Sequence, residues 1–237
     1  MARKDAATYS AVFQALIGKA AAAAQQFNPS TVLSDFESGL VSSVAANFPN
    51  ALHRNCHFHF CQAIYRKVQA YGLCGIYDSE PQVRLQVRQL MALAFLPVAI
   101  VRLTYRTLQL QADGRLHPLF VYFEQQWLTA VRPLMWNVYG ENLRTNNDCE
   151  GWHVRFNNAI RRHHPNIWQF MDCMREEQAA MEVLQQQIMT GRQARRSNKK
   201  YLTLQRRITR LQTRYDRGSI TAIDFITGVS YNLSARH

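Results

Sequence analysis

The chain has no long hydrophobic run, few acids and no regular set of cysteines. Its longest apolar stretch, Leu90–Val101, spans 12 residues and contains Pro97, well short of the ~20 a membrane-crossing helix needs. The opening MARKDAATYSAVFQ has no apolar core of the kind a signal peptide carries. Five cysteines, an odd number without a repeating spacing, fit a reducing compartment better than a disulfide scaffold. These absences point to an intracellular protein that neither spans a membrane nor is secreted. An apolar fraction of 47% over 237 residues excludes a disordered chain and allows one or two domains with a sizeable core.

Acids number 16 against 28 Lys and Arg, so the chain carries a net charge of +12. Nucleic acid is the first partner such a charge suggests and an anionic membrane surface the second, beside a basic protein with no polyanion partner. The excess is concentrated at the end. Residues 191–237 hold eleven basic residues, among them Arg192, Arg195, Arg196, Lys199, Lys200, Arg206, Arg207 and Arg210, against Asp216 and Asp224. The arginines alternate with Leu202, Leu204, Ile208, Leu211 and Tyr215. A helix burying those apolar residues would present the cations to a phosphate backbone, or simply to solvent.

Residues 8–26 have apolar residues at 3- and 4-residue spacing (Tyr9, Val12, Phe13, Leu16, Ile17) and are expected to form a helix that stops at Asn28-Pro29. A β-like run, Thr31–Leu33, precedes a helix at 36–48, and a strand at 51–55 precedes a helix at 56–71 closed by Gly72. This alternation points to an α/β layer. From 79 to 131 only helical periods appear. A loop at 133–147, helices at 148–161, 166–189 and 195–215, and a short helix within 220–232 complete the expectation.

Two carboxylates stand out. Asp35 follows the first strand, where open α/β sheets place ligands, and it could equally cap the next helix. Glu150, in RTNNDCEGWH, shares a helix face with Asn157 and Arg161, opposite Trp152, Phe156, Ala159 and Ile160. A helix-dipole role is its ordinary alternative. In HRNCHFHFC, Cys56 and His59 have ligand-like spacing, as do Cys149 and His153. A structural zinc would require all four to converge. A packed strand-to-helix junction is the commoner outcome for such a segment, so zinc is not expected.

At these residues the chain resembles a known family. DFESGLVSSVAANFPNALHRNCHFHFCQAIYRKVQAYGL (35–73) and WNVYGENLRTNNDCEGWHVRFNNAIRRHHPNIWQFM (136–171) resemble MULE (Mutator-like element) transposase domains. With the helix around Tyr9–Leu16, the resemblance covers most of residues 1–190. It implies a ribonuclease-H-like core whose Asp, Asp and Glu hold Mg²⁺ or Mn²⁺ for DNA strand cleavage and transfer. On that basis the second acid falls on Asp35 and the third on Glu150. Cys56, His59, Asn147, Trp152 and His153 are family-motif residues, whereas the arm beyond 190 matches only loosely and its reading as nucleic-acid-binding over 192–210 rests on its charge. DNA (transposon ends or non-specific) is the implied partner and the nucleus the implied compartment. Association into an oligomer is compatible with the family.

The family's first Asp has no counterpart here. Asp5 is the only early acid and falls in a loop before the first helix. The expected organisation is an incomplete ribonuclease-H-like α/β core at 1–75, a helical insertion at 76–135, a closing core segment at 136–190 and a basic helical arm at 191–237. Three readings follow: an N-terminally truncated, inactive transposase domain; a nucleic-acid-binding or interaction module retained without catalysis; or one exon of an active enzyme.

Overall fold

The structure, a computed structural model, describes residues 4–142, 144–145, 147–160, 165–191 and 199–233, leaving aside the side chains of Asn147, Asp148 and Lys200. It is mostly helical with one small parallel sheet.

Helix α1 (Ala6–Ala22) starts where Asp5 accepts the Thr8 N–H at 2.8 Å, an N-cap that satisfies a free backbone donor. Strand β1 (Thr31–Ser34) leads into α2 (Ser38–Asn47), and β2 (Leu52–Asn55) into α3 (His57–Ala70). Gly72, at φ 69°, follows α3 in the left-handed region that glycine reaches without a Cβ penalty. The two strands pair in parallel, Thr31 opposite Leu52 and Ser34 opposite Asn55, with α2 as their crossover. The helix and strand pattern expected for residues 8–71 is present, except that α1 ends at Ala22 rather than 26 and α2 begins at Ser38 rather than 36.

Next come α4 (Cys74–Ser79), α5 (Pro81–Ala92), α6 (Val98–Leu110) and α7 (His117–Phe123), which continues as a π-helical stretch over Glu124–Ala130. The segment expected to be a loop contains one helical turn, α8 (Pro133–Trp136), opened by a proline whose fixed φ suits a first helical position. Helices α9 (Asn147–Ile160), α10 (Ile167–Met189), α11 (Lys199–Asp216) and α12 (Ala222–Ser230) follow.

The chain divides into two units, Met1–Thr145 with Leu204–His237, and Asn146–Thr203. The core of the first is aromatic. Trp136 stacks on Phe60 (4.8 Å, 5°) and donates its Nε1 to the Trp127 carbonyl at 2.9 Å. Phe36 and Phe60 each meet Trp127 edge-on, at 5.0 and 4.8 Å. The residue after Asp35 and the residue after His59 are thus seated on one indole. The last two helices complete this core: Ile208, Phe225, Ile226 and Val229 are buried in it. In the second unit, Trp152 stacks on Phe156 and donates to Glu177 at 2.9 Å, joining α9 to α10.

Candidate functional site

The carboxyl ends of β1 and β2 carry the site. Ser34 and Asn55 are the paired last residues of the two strands, so Asp35 and Cys56 emerge side by side. His59 is three residues beyond Cys56, in the first turn of α3, and returns to the same face. The His59 Nδ1 lies 2.7 Å from Asp35 Oδ1. The ligand atoms of Asp35, Cys56 and His59 all lie within 4.8 Å of one another. Cys56 is fully buried, whereas the side chains of Asp35 and His59 are 48% and 28% exposed. The cluster therefore has a closed floor and an open rim.

The backbone beneath it is held tightly. Asn55, buried, donates Nδ2 to the Asp35 carbonyl at 2.8 Å and to Ser34 Oγ at 3.2 Å. The Ser34 hydroxyl also reaches the Asp35 carbonyl at 3.0 Å and His53 Nε2 at 2.7 Å. The Cys56 N–H donates to Ser34 O, and the His57 N–H to the Arg144 carbonyl at 2.9 Å. Asn55 Oδ1 is buried with no hydrogen-bond partner among the described residues, the kind of atom that a water or an ion's hydration shell satisfies.

Asp35 is not the helix cap that its position allowed: Glu37 is the N-cap of α2. Asp5 caps α1, and the N–H of Thr8 holds its carboxyl below the usual range. In HRNCHFHFC the side chains divide. His57 and Cys61 turn into the core, 3.6 Å apart. Burial, with the Arg144 charge second, lowers His57 to about 4, and burial pushes the Cys61 thiol up. The segment is thus the packed junction expected, with Cys56 also fully buried, while His59 pairs with Asp35 at its more exposed edge.

The remaining predicted residues that the structure describes are on later helices. Glu150 is half-buried on α9 in the second unit, with Cys149 and His153 exposed on the same helix. Phe156 is buried and Trp152 half-buried as the helical wheel requires, while Ala159 is exposed. Trp152 is tied to Glu177, which Arg155 also reaches at 2.7 Å. Arg192, Arg195, Arg196 and Arg161, and the side chains of Asn147 and Lys200, lie outside the described residues. Lys199, Arg206, Arg207 and Arg210 are exposed on α11, while Ile208 is buried and Leu204, Leu211 and Tyr215 pack against the core. Leu202, expected inside, is 39% exposed. Sequence reading missed Asn55. Its one signal was an asparagine at the end of a strand, where that residue is disfavoured.

Residues 1–63 match the family model of the MULE transposase domain. The MULE match runs from α1 through the first two turns of α3, so it contains β1, β2, Asp35, Cys56 and His59. It supports a transposon-derived function, and the transposase family implies interaction with DNA. No curated protein and no solved structure matches the chain significantly. Among the described residues, no helix is long and apolar enough to cross a membrane.

Taken by itself, the Asp35, Cys56 and His59 set is not the all-oxygen set that the resemblance implies. Two hard Mg²⁺ or Mn²⁺ ions take oxygen ligands, several of them shared carboxylates. Among the described residues, the cluster supplies a single carboxylate beside a thiol and an imidazole.

Proposed function

We propose that this chain is a MULE-type transposase domain of DNA cut-and-paste ancestry whose 237 residues bind DNA without cutting it. The MULE match across the strand pair and the Asp35 cluster carries the reading. Parallel strands bridged by a helix, with an acid at the first strand's carboxyl end, are consistent with part of a ribonuclease-H-like core. In this reading Asp35 and Glu150 descend from the second and third catalytic acids. They would take Mg²⁺ or Mn²⁺ for catalysis only together with a further carboxylate. The nucleus is the compartment that fits a DNA partner.

A retained, non-catalytic nucleic-acid module is the form of this reading that α11 favours. Ile208 is buried while Arg206, Arg207 and Arg210 face outward. Cations fixed on a packed helix contact phosphates without base preference, and each contact releases counterions. Affinity for duplex DNA is expected to fall with salt, and replacing the three arginines by alanine to flatten the log–log slope by roughly two to three. A slope unchanged by the triple substitution removes α11 as the contact surface. Incubating plasmid with the protein and Mg²⁺ or Mn²⁺ tests the catalytic half. No nicking is expected; nicking abolished by Asp35→Ala and by Glu150→Ala would make the chain an active nuclease.

A further inference from the structure

We propose that Asp35, Cys56 and His59 form a binding site for one zinc-class transition-metal ion, with three protein ligands and one position open to solvent. The residue types decide the ion. A thiolate and an imidazole prefer Zn²⁺ over Mg²⁺, which takes oxygen ligands and keeps much of its water. One residue of each kind, Asp, Cys and His, is a set that zinc accepts.

The geometry is close to what such an ion needs. Bonds of about 2.0–2.3 Å at tetrahedral angles put ligand atoms roughly 3.3–3.6 Å apart. The three ligand atoms already lie within 4.8 Å of one another. The Asp35–His59 contact, at 2.7 Å, opens by roughly 0.6–0.9 Å to admit the ion between them. Binding replaces that contact with two metal bonds and displaces the Cys56 thiol proton to solvent.

The supporting shell is also in place. Asn55 and Ser34 hold the Asp35 backbone. Phe36 and Phe60, the neighbours of Asp35 and His59, are anchored on Trp127. Cys56 closes the floor, so the fourth position faces outward past the more exposed Asp35 and His59. Three ligands and an outward vacancy give an ion able to bind water or a phosphate oxygen, as distinct from a closed structural zinc. Zinc here would also occupy the carboxylate that the transposase reading assigns to the harder ions. The inference shares Asp35 with that reading but requires no reaction on DNA.

The test is Co²⁺ titration of the full, chelator-treated chain, followed by absorbance. One Co²⁺ per chain is expected, with a thiolate-to-cobalt charge-transfer band and visible bands of tetrahedral intensity. Zn²⁺ should abolish both, and a large excess of Mg²⁺ should not. Cys56→Ser is expected to remove the charge-transfer band. His59→Asn, at a half-exposed position that tolerates an amide, should weaken binding at least tenfold while circular dichroism stays unchanged. A charge-transfer band that survives Cys56→Ser, displacement by Mg²⁺, or Co²⁺ affinity unaltered by His59→Asn each overturns the site. The DNA titration run on His59→Asn separates the two proposals. Lost metal with intact salt-dependent DNA binding supports the site alone, whereas lost DNA binding with intact metal binding sinks it and leaves the transposase reading standing.

Discussion

Tyr139 and Asp216 are 77 residues apart in the chain, and the phenol donates to the carboxylate at 2.5 Å. That hydrogen bond, more than burial or the carboxylate's charge, pushes Tyr139 up to about 12. The pair ties the segment after α8 to the end of α11. Because the folded pKa is raised, the contribution is full below the ordinary tyrosine value of ~10. It is lost as pH rises from there to about 12. Urea midpoints of the protein and of Tyr139→Phe should therefore differ by a constant amount up to about pH 10 and converge above it. A gap that stays constant to pH 12 would mean the hydrogen bond contributes nothing. Single residues were legible in sequence when their chemistry was local. Asp35 could be found because it ends an apolar run, and Cys56 and His59 because they are a turn apart. Asn55 could not, because its function is to hold the neighbouring strand, and strand register leaves no mark in a single segment.

The contact of α1 with α2 depends on the absence of a side chain. A Cβ at Gly39 would lie 2.9 Å from the Asp5 carbonyl carbon and 3.0 Å from the Ala6 nitrogen. These are backbone atoms and cannot swing aside. Around this point Tyr9 donates to Glu37, Ser10 meets Ser43, and Phe13 packs edge-on to Phe48. Gly39→Ala is expected to push the helices apart and to cost about 1–3 kcal/mol. Thermal unfolding measures it; an unchanged Tm would show that α1 yields without loss. Helices α3 and α11 could be read from apolar spacing, since each lays a periodic stripe on the core, whereas α1 has the spacing but buries none of its residues and leaves Val12 and Leu16 exposed. The π-helical stretch before Ala130 and the turn at Pro133–Trp136 could not. Both are set by where Trp127 and Trp136 must sit against Phe60, which is a tertiary demand. The α/β pattern was legible; the parallel pairing followed only from strand–helix–strand order and handed crossover rules.

Across the whole molecule, the last helices and the early ones share one core. Phe225 is fully buried, stacks on Tyr215 at 5.2 Å, and belongs to the same cluster as Val83, Leu90 and Trp136. Gln89 on α5 donates to Thr227 on α12 at 2.8 Å. Phe225→Ala is expected to cost ~3–5 kcal/mol. The loss should appear in the transition reported by fluorescence of the buried Trp127 and Trp136. If only far-ultraviolet ellipticity of a small helical fraction moved, α11 and α12 would be an independent appendage. This association was not readable in sequence, where residues 191–237 are marked mainly by charge. The buried face of α12 has three apolar residues, Phe225, Ile226 and Val229, beside Ser230, too short a signal to name its partner. It also sets the order of events in synthesis. Helix α5 leaves the ribosome more than a hundred residues before the helix that covers it, with its apolar face still waiting. Closing a loop of that length makes folding slow and exposes the nascent chain to association in the interval. The first unit is finished only when translation has passed Ser230, so a transcript interrupted between α10 and α12 would release a chain whose core is open.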